Sequence, residues 1–568
     1  MASQEFHSAL ERARSVRIAW LASALIVLAG CAAETEEEWI APLNPAVVAS
    51  PLASCNGGSA DPFSEVEAFR VIAFTESEGR EKTFDKTFGY AGAESLGVQD
   101  VPEGVGVELT VLGYTGADQP QWYARANDLV VSAGSTTDVD VVLSRFGGYS
   151  CPTTDTSFTA RVFSSTTAIG DGKYFIAGGL TERDGNNFTV GTGSDAAWIY
   201  DSTNGQVTSV ASKMNFARGA HAAFYVSDVS VSRILLFGGT ATVGFIPDDV
   251  DGMGWTWADA DGLSTVEVYE WVTGTDPTEG VFRSDTGDLK MPVPRVFPNA
   301  NQISPDGLVM VCGGAPWDRL SPGYEECDVI DTIPVAGGIP SFILSNNNPV
   351  EPQLAGAASV VVESDQVTRL LFAGGSRTGN SLQLYTSSTA QKDGVGGAFR
   401  GPDGVTLILP NVHFGALAKL DDDRFVLTGG ANWNGSAFDP LTSGNAWTLS
   451  IFNRSPLQII IEAVSSFDVG RMFHGVGAPA GTAFTVVGGF SSATSLDVTG
   501  SVRFLTDAGF VAPPDTEEAF APRGGFVSTL LANDSLLLVG GIDSLEDLDG
   551  GGAGNLEVYA PSNIPVEQ

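Results

Sequence analysis

The sequence predicts an all-β chain in which a seven-bladed β-propeller follows a small β-sandwich. Seven apolar runs end on a Gly-Gly pair, and the second glycines lie 52 to 75 residues apart (541 − 489 and 314 − 239 give the extremes). Between residues 65 and 146, apolar and polar residues alternate over short runs, as in strands with one buried face. The 68 glycines among 568 residues follow no collagen period, so they indicate turns in a globular chain.

The composition excludes several classes of protein. There are 29 Lys and Arg against 68 Asp and Glu, giving a formal net charge of −39. Because 43% of the residues are hydrophobic and only 17% are charged, the chain is not intrinsically disordered. Such an acidic chain is not expected to bind nucleic acid, which attracts clustered Lys and Arg. With four histidines and five cysteines, many metalloenzyme sites are excluded as well.

The N-terminus has the features of an export signal. An apolar run from Ile18 to Gly30 follows three arginines, and it is too short to span a bilayer as a helix. It ends in Leu28-Ala29-Gly30-Cys31, which resembles the lipobox of bacterial lipoproteins. The resemblance implies a signal peptide at 1–30 and lipidation of Cys31. The chain would then be anchored in a bacterial cell envelope, with the outer membrane or cell surface favoured over the inner membrane. An ordinary cleaved signal with a free Cys31 is the alternative.

Three further segments follow the signal. Residues 31–62 are acidic and rich in proline without a helical or strand period, so we expect a solvated tether. Residues 63–148 predict the small sandwich, with alternating positions such as Val107, Leu109 and Val111. Their pattern is similar to that of immunoglobulin-like or prealbumin-like modules of bacterial surface proteins. Residues 149–568 hold the repeats and predict the propeller.

The repeat unit is an apolar run, a double glycine, a loop, and another strand that often carries an aromatic residue. The seven runs are Tyr174–Gly179, Ile234–Gly239, Leu308–Gly314, Leu370–Gly375, Phe425–Gly430, Phe484–Gly489 and Leu536–Gly541. This pattern resembles the kelch repeat over roughly Ser157 to Ala560, although the later tryptophan of that repeat is mostly missing. The resemblance implies seven blades of about four strands each.

The last repeat is incomplete. It ends soon after Tyr559, which leaves too few residues for a full outer strand. Since an open sheet edge is a liability, we expect the segment around Gly148–Phe158 to add the missing strand to the last blade.

Four cysteines remain beyond Cys31, and an even number in an exported chain favours disulfides. We expect a disulfide between Cys55 and Cys151, which bracket the predicted sandwich. A second is expected between Cys312, which ends one predicted strand, and Cys327, which begins the next strand of the same blade. Zinc is the competing interpretation for these residues, but no CxxC motif or nearby histidine supports it.

Two further sets of residues have the composition of metal sites. His221, His413 and His474 each precede a Gly-Gly pair by a similar distance, so they are either metal ligands or hydrogen-bonded residues at strand starts, as in kelch repeats. Two acidic turns, Asp259–Asp261 and Asp547–Asp549, are either calcium loops or ordinary turns.

Some kelch-like propellers resemble galactose oxidase, whose copper-radical site needs a Tyr crosslinked to a Cys. Every cysteine here has another assignment, so we expect no copper site. The sequence therefore assigns no cofactor, and calcium is kept only as an alternative.

Two sets of residues recur where a ligand could bind. Five arginines open the strand that precedes a Gly-Gly pair: Arg161, Arg218, Arg295, Arg471 and Arg523. They either hold backbone carbonyls and neighbouring carboxylates or form a basic ring around one mouth of the axis. Four tryptophans lie in the loops after Gly-Gly pairs: Trp255, Trp257, Trp317 and Trp433. They either stack on a ligand or fold back into their own loops.

These features together predict a lipid-anchored binding protein without enzymatic activity, whose ligand meets the loop face of the propeller. A glycan would stack on the tryptophans, and an envelope protein would use them as anchors. The alternative is a glycan-processing enzyme on a propeller scaffold, although no catalytic residues are legible.

Overall fold

The computed structural model describes thirty stretches of the chain, with backbone only for the first and for parts of several loops. The described ranges are 40–44, 65–75, 81–90, 98–102, 104–116, 119–132, 137–139, 141–154, 157–184, 189–245, 257–258, 262–284, 289–304, 307–315, 327–332, 340–343, 356–363, 367–375, 382–387, 397–405, 409–410, 412–433, 438–440, 446–454, 457–464, 469–478, 484–491, 497–513, 522–543 and 556–561. The signal peptide lies outside these residues. Cys31, Cys55 and the two acidic turns, for which calcium loops were the alternative to ordinary turns, also lie outside them.

The N-terminal strands form two sheets. They are β1 (Ile40–Asn44), β2 (Ala68–Thr75), β3 (Glu81–Gly89), β4 (Val98–Pro102), β5 (Gly104–Tyr114), β6 (Trp122–Val131), β7 (Thr137–Asp138) and β8 (Ser144–Arg145). The larger sheet has the order β3-β2-β5-β6-β8 and the smaller one the order β4-β1-β7. Buried side chains such as Phe69, Val111 and Trp122 pack with Val101 and Val139 into one core, as expected for a sandwich.

Part of the segment that we expected to be a solvated tether is a strand. The backbone of β1 pairs antiparallel with β4 and parallel with β7. Pro42 lacks an N–H for the ladder, and the register shifts between Ala41 and Leu43, so the proline sits at an irregularity where it is tolerated. The proline content therefore misled the expectation at this point.

Seven sheets of four or five strands follow around an axis, and each is one blade of a kelch-like propeller. The fold class expected from the repeats is thus confirmed. From the axis outwards, blade 1 contains β11 (Ser165–Gly170), β12 (Lys173–Ala177), β15 (Ala197–Asp201) and β16 (Gln206–Ser209), with β10 (Thr153–Thr154) beyond them. Blade 2 contains β17 (Ala222–Ser227), β18 (Val231–Phe237), β21 (Val266–Val272) and β22 (Val281–Phe282), and a 3-10 helix at Pro277–Glu279 precedes β22.

The other blades are built in the same way. Blade 3 contains β23 (Val296–Ser304), β24 (Leu308–Ala315), β25 (Asp328–Asp331) and β26 (Ser341–Ile343). Blade 4 contains β27 (Ala358–Glu363), β28 (Arg369–Ala373), β29 (Gln383–Thr386) and β30 (Ala398–Arg400). Blade 5 contains β32 (Ala416–Lys419), β33 (Arg424–Thr428), β36 (Ala446–Arg454) and β37 (Leu457–Ala463), with β31 (Gly404–Val405) at its edge. Blade 6 contains β38 (Gly475–Gly477), β39 (Thr485–Val487), β40 (Val502–Thr506) and β41 (Gly509–Val511).

Blade 7 takes its outer strand from the start of the propeller. It contains β42 (Val527–Leu530), β43 (Leu536–Val539), β44 (Leu556–Ala560) and β9 (Gly148–Ser150). Tyr149 of β9 pairs with Tyr559 of β44, and their rings stack with centroids 4.7 Å apart. The segment expected to complete the last blade therefore does so, and the two ends of the propeller are held in one sheet.

Replacing Tyr149 with leucine is expected to lower the free energy of unfolding by about 1–2 kcal/mol, because the stacked ring pair at the closure is lost. The Tyr149→Phe variant keeps the ring and should lose less. Urea unfolding followed by tryptophan fluorescence compares the two. If both variants unfold at the same urea concentration, ring stacking does not stabilise the closure.

The sandwich is packed against blade 7. Arg125 of β6 forms an ion pair with Asp534, and Asn127 Nδ2 donates to Ala532 O at 2.7 Å. Ala560 also lies in one apolar cluster with Ile72 and Tyr123 of the sandwich. The sandwich and the propeller are thus in direct contact and are not connected by an isolated linker alone.

One of the two expected disulfides is fully described. Cys312 and Cys327 are bonded, with Cα atoms 4.4 Å apart, where β24 meets the start of β25. Cys151 is disulfide-bonded as well. Its expected partner, Cys55, lies outside the described residues. The described part of the chain holds no helix with the length and apolar character that crossing a membrane requires.

Candidate functional site

The Gly-Gly pairs and the arginines together lock neighbouring blades. The N–H of Gly179 donates to Arg218 O of the next blade at 2.9 Å, while the guanidinium Nη1 of Arg218 donates to Gly238 O of its own blade at 2.7 Å. A Cβ on Gly178, whose φ is +62°, would lie 2.2 Å from Arg218 O. The glycine is required there because any side chain would collide with the next blade.

The same lock recurs around the propeller. The second glycine donates to a carbonyl of the next blade at Gly239, Gly375, Gly430, Gly489 and Gly541 as well. The last of these donates to Arg161 O and so links blade 7 to blade 1.

The five arginines are therefore not a basic ring open to a ligand. Each has at most 1% of its surface exposed. Three of them also form ion pairs inside their own blades, namely Arg218 with Glu267, Arg295 with Asp328 and Arg523 with Glu557. The expectation that these side chains contact a ligand is wrong, because they are buried and donate hydrogen bonds to oxygen atoms of the fold.

Arg161 is stabilised differently from the three arginines that form ion pairs. Its guanidinium lies over the rings of Trp198 and Phe158, 4.0 and 4.7 Å from their centroids. Burial lowers its pKa to about 9. No carboxylate pairs with Arg161 in the described part of the chain, so no opposing charge offsets the effect of burial on its pKa.

The centre of the loop face is filled by a ring of residues that the sequence analysis missed. Each blade contributes one residue with positive φ, two positions after the arginine where one is present: Phe163, Ala220, Phe297, Gly356, Phe414, Phe473 and Gly525. Six backbone hydrogen bonds of 2.8–3.4 Å connect neighbours in this ring, for example from Ala220 N to Phe163 O. A left-handed conformation costs a residue with a side chain about 1–2 kcal/mol, so the ring must be held by its surroundings.

The four phenylalanines of this axial ring pack against one another. Their contacting ring centroids are 4.7–5.5 Å apart. Phe163 and Phe414 are buried, and Phe297 and Phe473 are half-buried. A ligand approaching the centre of the loop face would therefore meet aromatic carbon where we expected arginine.

The three histidines of the propeller are buried in its interior. His221 Nε2 lies 2.8 Å from Ser165 Oγ, and His474 Nε2 lies 2.8 Å from Thr428 Oγ1. Burial, followed by the charge of the arginine three residues earlier, lowers the pKa of both imidazoles to about 3. His413 is fully buried next to Phe414. Each is thus in the position expected of a hydrogen-bonded residue at a strand start.

Two of the four tryptophans lie in strands that are added to the loop face. The loops of blades 1 and 2 form one extra sheet from β13 (Leu180–Asp184), β14 (Thr189–Gly193), β19 (Val243–Phe245) and β20 (Trp257–Ala258). The loop of blade 5 forms a hairpin from β34 (Ala431–Trp433) and β35 (Phe438–Pro440). Trp257 pairs with Phe245, and Trp433 pairs with Phe438. Trp255 and Trp317 lie outside the described residues.

We call these two structures the loop platform. Aromatic residues are register partners across its ladders at two separate places, and β20 is at the edge of the extra sheet. Within this sheet, the exposed Thr192 of β14 donates from Oγ1 to Glu182 of β13 at 2.9 Å. The platform therefore combines aromatic positions with polar groups, as in sites that bind polar ligands with apolar faces.

Comparisons with known proteins were made for the whole chain. No protein-family model matches it, and no curated protein matches it. Among solved structures, a fungal alcohol oxidase of the AA5 family in complex with copper is similar, with a TM-score of 0.49, 15% identity, and coverage of 71% of this chain and 75% of that chain. YjhT is similar with a TM-score of 0.36, 12% identity, and coverage of 72% and 95%.

The expectation of a protein without enzymatic activity is corrected by the first of these findings, because an oxidase is among the similar structures. The residues for a copper site are a separate question. The described residues include no group of three or more His, Cys, Asp or Glu side chains that could hold a metal ion. The described cysteines are in disulfides and the described histidines of the propeller are buried in three different blade interfaces, so these residues do not fit a copper site.

Proposed function

We propose that this chain is a lipid-anchored protein of a bacterial cell envelope that binds a glycan on the loop platform. The lipobox at Cys31 supports the anchor, and we favour the outer membrane or cell surface over the inner membrane. Binding of a glycan on the loop platform is compatible with its conversion on the same face.

The observation that carries the proposal is the loop platform. Its strands are not needed to complete any blade, yet loops of two blades pair with each other through β14 and β19. Loops that form extra structure on a rigid scaffold often carry the binding site of a protein. The axial ring fills the centre of the same face, so a ligand would lie across the platform and not enter the axis.

A glycan fits this platform because sugar rings stack on aromatic side chains while their hydroxyls bond to nearby polar groups. An envelope protein is the other candidate, and the experiment separates the two. A glycan should bind weakly at each site and compete with free sugar, whereas a protein partner would remain bound in excess sugar.

The quadruple variant Trp255→Ala, Trp257→Ala, Trp317→Ala and Trp433→Ala is expected to lose binding on a polysaccharide array while its melting temperature changes little. The matched control replaces the same four residues with phenylalanine, which keeps a stacking ring and should retain part of the signal. Product analysis of the bound polysaccharide reports any conversion. If the alanine variant binds as well as the unaltered protein, or if it unfolds, the platform is not the site. Capture of an envelope protein that excess sugar does not release would favour a protein partner.

A further inference from the structure

A cavity of about 810 Å³ lies between blades 5 and 6, away from the residues of the loop platform. It arises because the blades differ in strand length. The outer strands of blade 5, β36 and β37, have nine and seven residues, whereas β40 and β41 of blade 6 have five and three. Blade 6 is too short to cover the outer part of its neighbour. The volume of the cavity is within the range of about 300–1,000 Å³ that is typical of small-molecule sites.

The floor of this inter-blade cavity is apolar. Phe484 has only 1% of its surface exposed and meets Phe510 edge to face, with centroids 6.1 Å apart. Leu420, Val464 and Leu505 are half-buried in the same cluster. A ligand in the cavity would therefore contact carbon on one side.

The walls of the cavity are polar, and the strand register brings them together. Arg424 pairs with Ser450, and Thr448 pairs with Glu462 across β36, so these four residues share one face of blade 5. Asp507 lies opposite them, in the turn between β40 and β41 of blade 6. Each of these residues lines the cavity.

Most of these polar groups have no partner in the described part of the protein. Asp421 accepts from Arg424 Nε at 2.5 Å, which orients the guanidinium and leaves both terminal nitrogens without a described partner. Glu462 and Asp507 are exposed and Ser450 is half-buried, so their oxygen atoms are accessible to a ligand in the cavity, and no hydrogen bond from these side chains to another described residue is present. The cavity thus offers donors, acceptors and an apolar floor at once.

We propose that the inter-blade cavity is a second binding site, which takes a neutral sugar of one or a few rings. A sugar ring has an apolar face for the half-buried Leu420 and Leu505, which lie above the buried Phe484, and its hydroxyls both donate and accept. The carboxylates would accept from hydroxyls and the guanidinium would donate to them. An anion would use Arg424 but be repelled by Glu462 and Asp507, and an amine would leave Arg424 unused. The site is independent of the loop platform.

The test uses the full chain and a panel of neutral disaccharides that includes maltose, cellobiose and lactose, with affinities from calorimetry. We expect at least one of them to bind, and Glu462→Gln and Asp507→Asn each to weaken that binding about fivefold or more. Ser450→Trp fills the cavity and should abolish it. Asp422→Asn is the matched control, because this carboxylate belongs to the neighbouring turn, is 98% exposed and does not line the cavity.

The outcomes are decisive in both directions. Loss of binding in Ser450→Trp with normal binding in Asp422→Asn supports the site, provided that thermal unfolding is unchanged. The quadruple tryptophan variant should still bind the disaccharide here, which distinguishes this site from the loop platform. The proposal is overturned if no disaccharide of the panel binds, if Asp422→Asn is weakened as much as Glu462→Gln, or if the tryptophan variant alone removes all binding.

Discussion

Replacing Arg218 with methionine is expected to lower the free energy of unfolding by about 3–5 kcal/mol, because it leaves Glu267 buried without its countercharge. Arg218 and Glu267 are both almost fully buried, with Nη2 and Oε1 2.9 Å apart. The guanidinium also donates to Gly238 O and Thr265 O, so the variant leaves buried carbonyls with fewer donors. Burial lowers the pKa of Arg218 although Glu267 raises it, which shows how strongly the site is desolvated.

Two further variants make this expectation specific. Lys213 precedes blade 2, as Arg218 does, and forms an exposed ion pair with Asp195. Lys213→Met removes this cation and should lower the free energy of unfolding by less than about 1 kcal/mol. Adding Glu267→Gln to Arg218→Met removes the buried charge and keeps one oxygen acceptor, enough for one of the two N–H groups of Asn215 and Phe216 that donate to different oxygens of Glu267. The double variant should then unfold at a higher urea concentration than Arg218→Met alone. A cost for Arg218→Met no larger than that for Lys213→Met would contradict the blade lock.

The blade lock also explains what could and could not be predicted from the sequence. The spacing between each arginine and its Gly-Gly pair correctly indicated a recurring position in the blade. Spacing does not reveal burial, however, because the guanidinium reaches the glycine carbonyl only once β-strands of the same blade have paired. Of the two interpretations left open for the arginines, the structural one is correct.

The axial ring was missed although a signal for it is present. Arg-x-Phe occurs at Arg161–Phe163, Arg295–Phe297 and Arg471–Phe473, in three different blades. A phenylalanine in that place would ordinarily be assigned to the strand core. Its left-handed backbone follows from the meeting of seven blades at the axis, which is a property of the closed propeller and not of any one repeat.

The inter-blade cavity had no comparable signal. Its polar residues are spread from Arg424 to Asp507, and no motif links them. They converge because β36 and β37 are longer than their counterparts in blade 6, and strand ends are set by pairing. By contrast, the closure by β9 was predictable, since it required only counting the residues left after Tyr559.

Acidification is expected to destabilise the propeller through His221 and His474. Both imidazoles have a pKa of about 3 in the folded chain, against an ordinary value of 6.5. Between these values the unfolded chain binds a proton at each imidazole and the folded chain does not, so the free energy of unfolding falls as the pH falls. The stability that depends on the neutral imidazoles is fully present above pH 6.5. It is lost as the pH falls towards about 3, and no further loss occurs below that pH.

At pH 5 the loss should be about 2 kcal/mol for each histidine, from 1.36 kcal/mol per pKa unit over 1.5 units. The variant His221→Gln with His474→Gln keeps a polar group near Ser165 and Thr428 but cannot be protonated. Urea unfolding at pH 7 and pH 5 should therefore show a fall in the unaltered protein that exceeds the fall in the double variant by about 4 kcal/mol. Each single variant should account for about half of that difference, because the two imidazoles lie in different blade interfaces and titrate independently. Equal falls in the unaltered protein and the double variant would mean that the imidazoles are protonated in the folded chain, and hence that burial, together with the charges of Arg218 and Arg471, does not keep them neutral.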